Sequence, residues 1–180
     1  KEGYTFSGWD KTLPETMPAE DIIVNGTFTV NYYDAIFVAE GGWTETVSTA
    51  YGEVPVAPAA PEKAGYAFVG WEPALAPMGI NGATYTAKYS AGDSTYKVIT
   101  KVMNTAGEYD VNAEVFTAAT DSTVSVAAEP KTGFTINAAS VLSGTVAADN
   151  SLVLEVIIDR NQYNFTVVTD DGVETTVAYY

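Results

Sequence analysis

The sequence predicts a mainly β chain (β-rich α+β) made of small modules in tandem, and three observations predict it. Thr, Val, Ala and Tyr dominate the 180 residues, a set that suits the pleated, half-buried surface of a strand better than a helix. One phrase comes three times: Lys1-Glu2-Gly3-Tyr4-Thr5-Phe6, Lys63-Ala64-Gly65-Tyr66-Ala67-Phe68 and, more loosely, Lys131-Thr132-Gly133-Phe134-Thr135-Ile136. Their starts lie 62 and 68 residues apart. Each phrase leads to an alternating stretch, at 28–32, 85–89 and 152–156, whose period of two marks a strand with one buried face.

A second landmark has nearly the same period. Strand starts at Tyr33, Tyr96 and Tyr163 are 63 and 67 residues apart. The first runs through Glu40-Gly41-Gly42 and returns along 44–51; the third runs through Asp170-Asp171-Gly172 and returns along 174–180. Each is a hairpin signature. Asn25-Gly26, Asn81-Gly82 and Asn150-Ser151 precede the closing strands, and Asn-Gly supplies the positive φ of a tight turn. Ordered as hairpin, Pro-rich link, Gly-aromatic phrase and closing strand, the chain holds complete modules at 33–92 and 93–160. Residues 1–32 are then the C-terminal half of a module, and 161–180 the N-terminal half of a further one. The complementary halves predict either a longer array or one copy's tail folding with the next copy's head; an arbitrary cut would leave the same two halves.

Composition narrows the function. With no Cys and no His, disulfides, thiol nucleophiles, Cys/His zinc sites and a Ser-His-Asp triad are excluded. Eight basic against 23 acidic residues give a net charge of −15, which repels phosphate backbones, so no nucleic acid is expected as a partner. A hydrophobic fraction of 47% supplies a core, so the acidity does not signal disorder. No run approaches the ~18 apolar residues of a membrane span, so no membrane insertion is expected in this segment. The chain begins at Lys1 with neither an initiator Met nor a signal peptide and reads as a piece of something longer.

Gly-Tyr-x-Phe-x-Gly-Trp, at Gly3–Trp9 and Gly65–Trp71, resembles the hallmark of the Listeria–Bacteroides (internalin B-type) repeat. Met17-Pro18-Ala19-Glu20-Asp21 and the Glu40-Gly41-Gly42 turn fit the same pattern. Residues 93–160 depart from it: no Gly-Trp follows Ile136, and Val141-Leu142-Ser143-Gly144-Thr145-Val146 stands there instead. That segment, with the Tyr96 strand and the phrase at 132–136, resembles the mucin-binding-protein (MucBP-like) modules of Gram-positive surface proteins. The resemblances imply small β-grasp-like modules, strung along secreted or wall-anchored proteins as stalks or spacers, some of them contributing to host contact. They imply an extracellular setting on a bacterial cell surface or cell wall, and they supply no catalytic residues.

Trp9 and Trp71, each after Gly and preceded by two aromatics, read as core material for modules without disulfides, with glycan stacking on an exposed ring as the alternative. Trp43, just after a Gly-Gly turn, is either an exposed contact residue or a cap on its own module's core. Tyr109 and Phe116 are the aromatic candidates for ligand contact in the second module. Leu13-Pro14-Glu15-Thr16 is similar to a sortase signal, but Met17 replaces the Gly and no apolar segment follows, so it reads as coincidence. Asp149-Asn150 and Asp170-Asp171-Gly172 read as turns rather than metal ligands. Lys63, Lys88, Lys97, Lys101 and Lys131 with Asn104, Asn112 and Asn137 could supply an isopeptide bond, but nothing fixes a trio. No catalytic residue, metal or cofactor is expected.

Short joints predict a semi-rigid, elongated rod. Tyr32-Tyr33 passes from module to module with neither Gly nor Pro, Asp159-Arg160-Asn161-Gln162 is similarly brief, and Ala91-Gly92-Asp93-Ser94 is the most pliable of the three. The expected role is a non-catalytic stalk or spacer whose partners are neighbouring repeat modules. The alternatives are an adhesin module that binds host glycan or mucin, and a filament subunit whose split module is completed by the neighbouring copy.

Overall fold

The computed structural model of the protein describes residues 1–180. They form two compact units, residues 1–63 with 68–90, and residues 64–67 with 91–180. The chain is nearly all β, as its composition predicts. One 3-10 turn, Glu40–Gly42, is the only helical element.

The first unit opens with β1 (Tyr4–Trp9) and β2 (Gly26–Val30), an antiparallel pair forming a two-stranded sheet. Then come β3 (Tyr32–Val38), β4 (Thr44–Ala50), β5 (Tyr66–Glu72) and β6 (Ala83–Ala91), which form a sheet ordered β4-β3-β6-β5. β3 and β4 make an antiparallel hairpin, while β3 and β6 run parallel with Ala35 opposite Ala83 and Phe37 opposite Tyr85. A parallel neighbour requires a long crossover. Pro55, Pro58, Pro61, Pro73 and Pro77 keep that crossover out of helical conformation, because each fixes φ and removes an amide donor.

The second unit repeats this topology. Its strands are β7 (Asp93–Met103), β8 (Tyr109–Ala119), β9 (Thr123–Ser125), β10 (Phe134–Ile136), β11 (Ser143–Thr145), β12 (Val153–Arg160), β13 (Tyr163–Val168) and β14 (Glu174–Tyr179). The four-stranded sheet is β10-β12-β7-β8, again a hairpin with a parallel neighbour, Val98 opposite Leu154. Its crossover carries an extra short pair, β9 with β11. β13 and β14 form a separate two-stranded hairpin.

Alternation places the cores. In the first sheet Ala35, Phe37, Tyr85 and Met78 are buried together. Phe37 stacks on Tyr85 at 5.1 Å and meets the edge of Trp71 at 4.9 Å, the offset and edge-on geometries that aromatic quadrupoles favour. In the second sheet Val98, Leu154 and Val156 are buried, with Val124, Val126 and Leu142 packed on them from the crossover. Each crossover is pinned to its sheet by one buried residue. The Met78 amide donates to Glu53 O and its carbonyl accepts from Gly52; the Val146 amide donates to Ser122 O and its carbonyl accepts from Asp121.

Backbone hydrogen bonds at three places set the true correspondence between repeats. Asn31 N–H donates to Gly3 O, Gly92 N–H to Gly65 O, and Asn161 N–H to Gly133 O, at 2.8 to 2.9 Å. Counting from these, Ser94 stands where Tyr33 and Tyr163 stand, and Tyr96 occupies the place of Ala35. This corrects the strand starts read from sequence, where the three tyrosines were aligned. The Tyr hydroxyl is no guide because the buried Ser94 forms its own bond to Thr120, at 2.8 Å. A second shift concerns the closing strands. Phe28 corresponds to Tyr89 and not to Tyr85, as the ring pairs Phe6–Phe28 and Phe68–Tyr89 show, so the two Asn-Gly pairs are not equivalent.

Candidate functional site

For a chain of modules the points of mechanical interest are the joints. At the first, Tyr51 N–H donates to Asn31 O at 2.9 Å, and Asn31 in turn donates to Gly3, so the hairpin exit is tied to the preceding phrase through one residue. Gly3 lies under the Tyr51 ring with φ +72°; a Cβ there would stand 2.1 Å from Tyr51 Cγ. Only glycine accepts both that dihedral and that approach. Tyr4 and Tyr33 close on the same ring edge-on, at 6.0 and 6.4 Å. The second unit builds the same device on Gly65, where Thr120 N–H donates to Gly92 O and a Cβ on Gly65 would stand 2.7 Å from Ala148 Cβ. Tyr66 adds a hydrogen bond to Asp121. At Gly133 the backbone bond from Asn161 persists, but nothing lies within 4 Å of where a Cβ would be.

The contact candidates are dispersed. Trp43 is half-buried, stacked on Trp71 at 6.0 Å against the first core, which is the capping arrangement. Phe116 stacks on Tyr96 at 5.7 Å on the core-facing side of β8. Tyr109 is an odd number of residues away on the same strand and therefore on the opposite face. Its hydroxyl donates to Asp159 Oδ1 at 2.5 Å, and that bond holds the phenol above its ordinary pKa. The structure therefore does not bring Trp43, Tyr109 and Phe116 into one site. Trp9 is 52% exposed, unlike its equivalent Trp71. Its neighbour Asp10 accepts from the Asn25 side chain and backbone at 2.8 Å, which pulls its carboxyl below the usual range.

No group of three or more acidic residues has ligand geometry. An open hollow of about 590 Å³ on the first unit, lined by Tyr32, Asp34, Ile36, Asn81 and Thr84, offers one carboxylate. Nor does any helix have the length and apolarity to cross a membrane.

Sequence reasoning missed the faces of the two half-modules. β13 and β14 are exposed along their whole length, Phe165 and Val177 included. Met17 and Ile23 are also exposed, in the segment between β1 and β2. For β13 a signal was in the sequence, since Tyr163, Phe165 and Val167 are apolar at alternating positions.

Two sheets of one topology, each preceded by a Gly-aromatic phrase tied through one residue to a hairpin exit, define a tandem β-module repeat segment. Residues 33–107 match the model of the Listeria-Bacteroides repeat domain; the match runs past the first sheet and through β7 into the turn that follows it. Internalin H of Listeria monocytogenes is 40% identical over 111 residues, 56% of this chain and 20% of the relative. A protein of Evansella cellulosilytica whose name describes a membrane protein is 36% identical over 80 residues, 39% of this chain and 12% of the relative. The chain thus spans a fifth or less of the length of these relatives. The relationships place it with the repeat segments of surface or secreted proteins.

Proposed function

We propose that the chain is a non-catalytic stalk or spacer segment of a bacterial cell-surface protein, and that it carries load or distance rather than chemistry. The observation that supports this reading most is the Gly3–Asn31–Tyr51 joint, in which backbone hydrogen bonds and a ring seated on glycine replace a flexible linker. Linkers of Gly and Ser would allow free bending; this joint leaves one residue between β2 and β3. A net charge of −15 keeps neighbouring stalks apart and soluble. Small-angle scattering tests the proposal. A compact chain of this length has a radius of gyration of about 16 Å. A stalk exceeds that clearly, and its value holds when salt screens the charges. A value near the compact one overturns the reading.

A second reading, an adhesin module at 93–160 that grips host glycan or mucin, draws support from β8. This edge strand is exposed at nearly every residue and presents Tyr109, Val111 and Val115 on one face. The MucBP-like resemblance of that segment points the same way. Saturable binding of the whole chain to mucin, lost on Tyr109→Ala, would favour it; absence of binding by folded protein leaves the spacer.

A further inference from the structure

The two complete modules build one corner in different ways. It lies where the opening strand of each sheet meets the turn before its closing strand. By the hydrogen-bond correspondence Asn150 stands where Asn81 stands, Ser151 where Gly82 stands, and Thr95 where Asp34 stands. In the second unit the corner is closed: Asn150 Oδ1 accepts from the Thr95 amide at 2.7 Å and from its hydroxyl at 3.1 Å. In the first unit it is open. Gly82, at φ +70°, takes the turn against β3, where a Cβ would stand 2.7 Å from Asp34 O. Only glycine accepts that dihedral and that approach.

The hollow that results, about 590 Å³, is walled by Tyr32, Asp34 and Ile36, alternate residues on the outer face of β3, and by Asn81 and Thr84. Register puts Thr84 opposite Ile36. Tyr32 is 63% exposed. The Asp34 carboxylate, the Asn81 carboxamide and the Thr84 hydroxyl make no hydrogen bond within the protein. The equivalent Asp93 and Thr95 are exposed with a complete module before them in the chain, so the corner is open whatever precedes Lys1.

We propose that this corner of the first unit binds a neutral saccharide, at a site separate from β8 and independent of the stalk reading. The volume falls within the ~300–1,000 Å³ of small-ligand sites. The face of the Tyr32 ring is electron-rich, which suits the C–H face of a sugar ring. Asp34 accepts from adjacent sugar hydroxyls in charge-assisted bonds, while Asn81 and Thr84 both donate and accept. A carboxylate in the hollow, on a chain of net charge −15, disfavours sialylated, sulfated and uronic sugars. A basic peptide fits less well. Lysine and arginine would meet the carboxylate and the ring, but they carry no acceptor for the Asn81 amide donors.

Titration of the 180-residue chain, followed through its backbone amide NMR signals, tests this. The probes are a panel of neutral hexose, N-acetylhexosamine and deoxyhexose oligosaccharides, lactose and oligorhamnose among them; sialyllactose and tetralysine are the charged comparisons. At least one neutral probe should shift the Asp34, Asn81, Gly82 and Thr84 amides saturably, with a Kd of roughly 1 mM, and leave Thr95 and Asn150 unmoved. Response to lactose points to an animal glycan, and response to oligorhamnose to a bacterial envelope polysaccharide. Asp34→Asn and Asn81→Ala should each weaken binding about tenfold. Tyr32→Ala should abolish it and Tyr32→Phe keep most of it, because the ring does the stacking. These positions are exposed, so unchanged signals elsewhere show each variant folded. No saturable shift with any neutral probe at about ten times the expected Kd overturns the proposal. So do shifts centred on the second unit, binding that survives both Tyr32→Ala and Asp34→Asn, a stronger response to sialyllactose than to lactose, or saturation by tetralysine alone.

Discussion

Phe37 and Val167 occupy the same place on two copies of one strand, yet the first is fully buried and the second is nearly half exposed. Both hairpins keep the same antiparallel register, Tyr33 opposite Thr49 and Tyr163 opposite Tyr179, and both turns close the same way, Ala39 to Trp43 and Thr169 to Val173. The hairpin is therefore a local product of its sequence. What differs is the parallel neighbour and the crossover that lies on top of it. Burial, and with it most of the stabilisation, belongs to the completed sheet, at roughly 25 cal/mol for each Å² of apolar surface removed from water.

The largest expected effect is on that contrast itself. Phe37→Ala should destabilise the first unit by about 3–5 kcal/mol, while Val167→Ala should change stability by about 0.5 kcal/mol or less. Urea unfolding followed by tryptophan fluorescence reads the Phe37 loss, because Trp9, Trp43 and Trp71 all lie in the first unit, and far-ultraviolet circular dichroism reads the Val167 loss in the second. Equal losses from the two substitutions would break the comparison.

Leu154→Ala, in the aliphatic core of the second sheet, should cost about 2–5 kcal/mol. That loss should appear in far-ultraviolet circular dichroism and leave the tryptophan transition where it was. A matching shift in fluorescence would show that the two units unfold as one.

Next come the joints. Gly65→Ala meets both a positive φ and the Ala148 Cβ, and should cost about 1–3 kcal/mol beyond Gly133→Ala. At Gly133 the dihedral alone, φ +88°, should cost about 1–2 kcal/mol. Hydrogen exchange at Gly92 and Asn161 reads the two joints separately, through the amides that bond to Gly65 and Gly133. If Gly133→Ala loosens its joint as much as Gly65→Ala, the packing difference is irrelevant.

The smallest effect is electrostatic. The Asn25 hydrogen bonds lower the Asp10 carboxyl in the folded state, so their contribution is present above the ordinary carboxylate pKa. It fades as pH falls through the lowered folded value. Asp10→Asn should remove this part of the acid dependence of the β1–β2 pair, measured from the Asn25 amide signal across an acid titration. An unchanged titration of that amide would show that Asp10 does not hold the pair.

Much of this was legible in the residues. The thrice-repeated Gly-aromatic phrase, the hairpins around Glu40-Gly41-Gly42 and Asp170-Asp171-Gly172, and the alternation of the closing strands all correspond to elements of the structure. Less legible was the correspondence between repeats. Tyr96 looks like Tyr33 by type and spacing, but hydrogen bonding assigns that place to Ser94. The β9–β11 pair and the pinning of Met78 and Val146 were also missed, since single short segments carry no periodicity to read.

The sequence by itself determined the β character, the turns, the alternating faces, the absence of thiol and imidazole chemistry and the repeat. These depend on dihedral preference, composition and neighbours close along the chain. Only the tertiary structure decided the parallel pairing of β3 with β6 and β7 with β12, and which residues of one repeat correspond to those of another. Those depend on contacts between residues tens of positions apart, where packing and hydrogen-bond satisfaction choose among registers that local alternation leaves equal.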